Sequence, residues 1–263
     1  MQHLRPVTFE PVPSTEFSST ILADRTSGVD GCMVLITCVP PGRGSPDGTH
    51  IHPSDQLYYV LEGSLNVELD GRAFVVGPDS LVIIPAGIPH RNWNQGSAEE
   101  RHLELIVPHV ADGQPVTIAP GTGPQVRPAT VLDTKDCVRR LDRSLFDADN
   151  WDTQMLASRS SGLKTCWFYV GRVPSGQGGP GHHIHPFDQF YFILEGELHL
   201  DIGLQTIVAG TNTLVVLPAG LAHRQWNEGP KPEMHICFGV PEPESGAPLD
   251  VPLTFGKPEG QAT

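Results

Sequence analysis

Seven residues, His50-Ile51-His52-Pro53-Ser54-Asp55-Gln56, recur in this chain as His183-Ile184-His185-Pro186-Phe187-Asp188-Gln189, 133 positions later. Each copy runs on to a Leu-Glu-Gly at 61–63 and 194–196. Downstream, each is completed by Pro-Ala-Gly-x-x-His, at Pro85 to His90 and Pro218 to His223, with the same offset of 133. A chain of 263 residues could form one large domain or two ordinary ones, and the duplication decides for two copies of one unit. The expected boundaries are residues 1–120, a linker at 121–127, and residues 128–263.

The repeat extends upstream of the histidines. Leu22-Ala23-Asp24-Arg25-Thr26-Ser27-Gly28 matches Leu156-Ala157-Ser158-Arg159-Ser160-Ser161-Gly162, but here the offset is 134. One residue has therefore been gained or lost between Ile36 and Gly48, in a Pro/Gly-rich loop. Strands do not tolerate such a slip, because it turns every side chain to the opposite face.

Short apolar runs separated by glycine and proline read as strands and turns. Expected strands cover residues 32–38, 56–61, 64–69, 72–76, 81–84 and 103–107 in the first unit. In the second they cover 166–170, 189–194, 197–202, 214–217 and 236–240. Residues 1–20 are expected to be irregular, with Pro6, Pro11 and Pro13 limiting any helix. Asp136 to Phe146 carries the one helical pattern, with Val138, Leu141 and Leu145 on a face. Residues 111–128 and the tail from Glu242 are Pro/Gly-rich and are expected to lie on the surface.

Alternation along a strand places His50 and His52 on one face, as it does His183 and His185. Gln56 and Tyr58 share a face of the next strand, and Gln189 and Tyr191 are the equivalent pair. With a third histidine from another strand, His90 or His223, each copy holds three imidazoles and an amide suited to one metal ion. An isolated His-x-His is more often a solvated or core pair; two complete copies at preserved spacing favour metal.

These residues resemble the two motifs of the cupin superfamily. In the first, G-x5-H-x-H-x3,4-E-x6-G, His50, His52 and Gly63 match, as do His183, His185 and Gly196. Gln56 and Gln189 stand at the glutamate place. In the second, G-x5-P-x-G-x2-H-x3-N, the matches are Pro85, Gly87, His90 and Asn94, and Pro218, Gly220, His223 and Asn227. Asp79 and Asn212 replace its opening glycines. The resemblance implies an all-β bicupin of two antiparallel jelly-roll barrels in tandem. It implies one divalent transition metal per barrel: iron, nickel, cobalt, manganese or zinc. The ligands are expected to be His50, His52, Gln56 and His90, and His183, His185, Gln189 and His223.

Glutamine in place of glutamate leaves the ion's charge uncompensated in the first shell and cannot act as a base. The expected activity is therefore Lewis-acid isomerisation or lyase chemistry on a small oxygen-rich substrate with a carbonyl, carboxylate or enolisable group. Tyr58 and Tyr191 are the candidate proton-moving residues. The alternatives are a non-haem metal dioxygenase similar to the quercetinase-like bicupins, and a small-molecule-binding bicupin without turnover.

Other matched pairs carry less chemistry. Arg25 and Arg159 are expected to form structural ion pairs, Arg91/Trp93 and Arg224/Trp226 to lie on barrel exteriors, and His102 and His235 to be structural histidines. Tyr59, Phe190 and Phe192 point away from the histidine face and need cover. That cover is expected from a homo-oligomer or from the partner barrel of the same chain. A net charge of -13 argues against nucleic acid and anionic membrane as partners. No apolar run has membrane-spanning length, and the N-terminal residues lack the apolar core of a signal peptide. Five cysteines without paired spacing read as reduced thiols, so a cytoplasmic location is expected.

Overall fold

A computed structural model describes residues 2–9, 15–122, 126 and 128–254. The expected all-β architecture of two antiparallel barrels is present. The first barrel sets a six-stranded sheet against a three-stranded sheet. The larger sheet runs Val138–Arg140, Ser80–Ile84, Asp55–Glu62, Glu100–Val107, Met33–Val39, Ser18–Ala23, and the smaller Arg72–Val76, Leu65–Leu69, His90–Trp93. The second barrel repeats this plan. Its larger sheet runs Leu4–Pro6, Thr213–Leu217, Asp188–Glu195, Glu233–Val240, Trp167–Val173, Asp152–Ala157. Its smaller sheet runs Gln205–Gly210, Glu197–Ile202, His223–Trp226, His183–Ile184, Val251–Pro252. No helix among the described residues is long and apolar enough to cross a membrane.

The halves exchange their opening strands. Leu4–Pro6 pairs with Thr213–Leu217 of the second barrel, and Val138–Arg140 pairs with Ser80–Ile84 of the first. Two sequence expectations fail here. Residues 4–6, expected to be irregular, form a strand, with Pro6 at its end where a lost donor costs little. The expected helix over 136–146 is absent: this stretch carries the edge strand Val138–Arg140 between two single 3-10 turns, Thr134–Asp136 and Arg143–Leu145. Pairing with Ser80–Ile84 satisfies the backbone, and Leu145, on the supposed buried face, is exposed. Pro11 and Pro13, and residues 123–125 and 127 of the expected linker, lie outside the described residues.

The two large sheets pack face to face. Leu57, Tyr59, Leu81 and Leu103 from one meet Phe168, Phe190, Phe192 and Phe238 from the other in a single buried cluster. Tyr59 stacks on Phe168 at 5.8 Å, and Phe168 and Phe190 stack on Phe238 at 5.9 and 4.6 Å. The aromatic face that required cover is thus covered within the chain. Each barrel interior holds its own apolar cluster.

The one-residue slip between repeats falls in the loop before the histidines. Ser45 donates to the Asn92 carbonyl, and its counterpart Gly179, still 134 positions on, donates to that of Gln225, whereas the His50–His90 and His183–His223 pairings are 133 apart. Asp79 and Asn212, at the replaced glycine positions, keep positive φ values of 62° and 61°. Asp and Asn are the non-glycine residues that best tolerate this region, which explains the exchange.

Candidate metal centres

In each barrel three histidines converge. His50, His52 and His90 form one group, His183, His185 and His223 the other, with one ring nitrogen of each within 4.8 Å of the others. All six are buried. The rings are aimed by a common device: every Nδ1 lies against a backbone carbonyl. His50 donates to Gly48 (2.8 Å), His52 to Val116 (2.6 Å) and His90 to Ile88 (2.8 Å). The second copy uses Gly181 (2.7 Å), Leu249 (2.7 Å) and Leu221 (2.9 Å). An Nδ1–H engaged in this way leaves Nε2 as a lone-pair donor toward the common centre. The buried Nε2 atoms of His52, His90, His185 and His223 have no protein partner, a cost that a bound cation removes. Burial, with the neighbouring imidazole His52, pushes His90 down to about 3; burial above all also holds His223 at about 3 and lowers His52 and His185. Neutral imidazole is the form that ligates metal.

The glutamines enter from the adjacent strand. Gln56 donates its amide to Glu104 at 2.5 Å, and its buried Oε1 has no partner. In the second barrel the hydroxyl of Tyr191 donates to Gln189 Oε1 at 3.0 Å, and the Gln189 amide reaches Cys237 Sγ at 3.5 Å. The chemistry of the donor set, three imidazole nitrogens and a nearby amide oxygen, fits a divalent transition ion.

Residues 35–106 and 169–238 each match the cupin domain family, together more than half of the chain. The chain belongs to the cupin family. It is a bicupin, with a cupin domain in each half. A curated relative, "Polyketide synthase CurC" of Streptomyces cyaneus, is 33% identical over 112 residues, covering 41% of this chain and 71% of the relative. Among solved structures, the salicylate 1,2-dioxygenase of Pseudoaminobacter salicylatoxidans, as its gentisate adduct, superposes with a TM-score of 0.65 at 13% identity. That match covers 84% of this chain and 73% of the dioxygenase. An oxalate decarboxylase gives 0.65 at 16% identity, covering 89% and 74%. At such identities these two structures report a shared fold.

The two halves of the bicupin differ around their histidines. Glu104 of the first barrel, 7% exposed, holds Gln56 with one oxygen and accepts from Thr37 with the other at 2.8 Å. Its counterpart is Cys237, and that of Thr37 is Gly171. A carboxylate therefore sits one hydrogen bond behind the first amide, outside the direct ligand set. In the first barrel Met33, Leu35, Ile106, Val110 and Val116 form a small apolar cluster, with Ile106 the cross-strand neighbour of Gln56. The matching positions in the second barrel are Trp167, Tyr169, Gly239, Pro243 and Leu249. There a cavity of about 560 Å³ reaches His183, His185 and Gln189. Gly239 is required for the placement of Trp167 in its wall: a Cβ at that position would fall 2.4 Å from the indole.

Tyr58 and Tyr191 are placed inside the barrels, with different partners. Tyr58 accepts from Asn92 at 3.3 Å, whereas Tyr191 donates to Gln189. Burial pushes both phenols well above their usual value, so they stay protonated. Arg25 pairs with Asp112 at 2.7 Å, and Arg159 with Glu244 at 3.2 Å, in the structural role expected. Arg91 and Arg224 lie over Trp93 and Trp226 on the exterior. His102 and His235 are buried against Glu100 and Glu233.

Three supporting features escaped sequence reasoning. Asp55 and Asp188, inside the repeated motif, each accept from the Pro-Ala-Gly turn (Ala86 and Ala219 N–H, both 2.9 Å) and so fix the turn that leads to the third histidine. The repeat itself was the signal for them. Glu104 had no such signal, because its counterpart differs. The third feature is a pair of straps: the Pro/Gly-rich segments after each closing strand return across the barrel and supply the Val116 and Leu249 carbonyls, 133 residues apart.

Proposed function

We propose that this bicupin is a metal-dependent enzyme acting on a small, enolisable, oxygen-rich organic substrate, with the working site in the C-terminal barrel. The ligands are His50, His52, His90 and Gln56 in one barrel, and His183, His185, His223 and Gln189 in the other. The observation that carries this reading is the cavity of about 560 Å³ that reaches the second histidine set, where the matching positions of the first barrel carry a packed aliphatic cluster. Volumes of this order suit small-molecule sites. The likeness to a relative named as a polyketide synthase supports an enolisable ketone as substrate.

A divalent ion bound there supplies a Lewis acid that polarises a carbonyl oxygen. The protein's own groups do the rest. Backbone carbonyls lock each imidazole in the tautomer that leaves Nε2 free. Tyr191 holds the Gln189 oxygen in place and, with its raised pKa, donates a hydrogen bond without taking up a proton. It is a positioning residue in this reading. Trp167, Tyr169 and Phe187 wall one side of the site.

The test is exchange against oxidation. Metal-loaded protein is incubated anaerobically in deuterated water with 1-hydroxy-2-acetonaphthone, and deuterium entry at the acetyl carbon is followed by NMR. Catalysed exchange that His185→Ala abolishes and His52→Ala preserves is the expected result. Absence of exchange, with oxygen uptake in air instead, would move the dioxygenase alternative into first place.

A further inference from the structure

We propose that the C-terminal cavity selects a flat, uncharged hydroxy-ketone of fused-ring size and rejects a carboxylate of the same shape. This rests on the reading of that barrel as the working site and adds its substrate class. Shape comes from the walls. Tyr169 and Trp167 stack at 5.3 Å and 8°. Phe187 meets Trp167 edge-on at 5.7 Å and lies flat against His185 at 4.8 Å and 11°. A continuous aromatic surface therefore runs from the cavity wall to one histidine of the site. Such faces bind planar rings by offset stacking and edge contacts. The Gly239 gap, which lets Trp167 lie over the backbone, is filled in the first barrel by Ile106.

Charge comes from the lining. Glu242, Glu244 and Asp250 border the cavity, and among the described residues no lysine or arginine does. Arg159 offsets part of this charge: its guanidinium pairs with Glu244 at 3.2 Å and its backbone N–H donates to the Glu242 carboxylate at 2.7 Å. Asp250 lies 3.4 Å from His185 Nδ1, so one of these carboxylates stands directly behind a histidine of the site. A carboxylate must cross this acidic border to reach the site, a repulsion that a neutral enol or phenol does not meet. Two lining residues also lack hydrogen-bond partners: Gln225 presents a buried Oε1 and Trp151 a buried indole N–H. They match a hydroxyl donor and a carbonyl acceptor.

The experiment uses the zinc-loaded full chain, with metal measured separately, and titrates tryptophan fluorescence with 1-hydroxy-2-acetonaphthone and with 1-hydroxy-2-naphthoate. These probes differ only in a methyl ketone against a carboxylate. The ketone is expected to bind about tenfold more tightly or better, which corresponds to about 1.4 kcal/mol. The double variant Glu242→Gln/Glu244→Gln should raise naphthoate affinity roughly threefold while leaving the ketone unchanged. Gly239→Ile, which copies the first barrel, should abolish ketone binding with both metals retained. Naphthoate binding as tightly as the ketone, or ketone binding indifferent to Gly239→Ile, overturns the proposal while leaving the metal-enzyme reading intact. A His183/His185/His223 set that takes up no zinc overturns that reading and the proposal with it.

Discussion

At the residue scale, the proposed fourth ligand sets the charge balance, and the two copies balance it differently. Gln56 is backed by the Glu104 carboxylate, Gln189 by a phenol and a thiol. The same substitution should therefore have unequal effects. Gln56→Glu removes the amide donor and sets a second carboxylate against Glu104 in a buried site, which should cost about 2–4 kcal/mol of stability. Gln189→Glu meets no carboxylate, keeps its Tyr191 contact, and should cost less than about 1.5 kcal/mol. Thermal melts of the two zinc-loaded variants check this; equal losses would mean that Glu104 does not govern the first site. The histidines make a second prediction, for metal-free protein. His90 and His223 are held at about 3, against 6.5 for the free side chain. As pH falls through 6.5 the unfolded chain takes up protons that the folded chain does not, so stability drops. The slope should be about 1.4 kcal/mol per pH unit for each group until about pH 3. Urea midpoints independent of pH between 7.5 and 5.5 would contradict the buried neutral imidazoles.

At the element scale, each site is closed by a strap, and the second is testable by truncation. A chain ending at Glu242 loses the Leu249 carbonyl that aims His185 and the strand Val251–Pro252 that pairs with His183–Ile184. It should lose about half of its bound metal, read by elemental analysis, because supporting contacts of this kind commonly carry 10–100-fold in metal affinity. Full retention would show the strap to be dispensable. The straps also mark the limit of what the sequence makes legible. Strands and histidines were readable because alternation and a constant offset are local and duplicated. The straps have no periodicity, only proline and glycine, and their role depends on a contact 64 residues away. The failed helix at 136–146 has a related cause: Val138 and Leu141 satisfy a helical spacing, but an unpaired edge at Ser80–Ile84 captures the backbone first. Asymmetry was hidden as well, since Glu104, Gly239 and Trp167 differ from their counterparts, and a repeat draws attention to what is alike.

At the scale of the whole molecule, the barrels are interdependent. Each completes its large sheet with a strand from the other half, and Phe190, Phe192 and Phe238 are buried only because the first barrel covers them. Residues 128–263 alone would lack Leu4–Pro6 and expose that aromatic face. Gel filtration and thermal denaturation should find this fragment aggregated or destabilised; a monomer melting with the intact chain would contradict the shared core. One scaffold then carries two histidine sets with different surroundings, the first in a barrel with an aliphatic cluster at the positions where the second has a cavity. The most direct test of this account is the metal content of the purified chain beside His52→Ala and His185→Ala. The account predicts about two equivalents in the parent and about one in each variant, since each histidine serves a single centre. Either variant holding as much metal as the parent would contradict it.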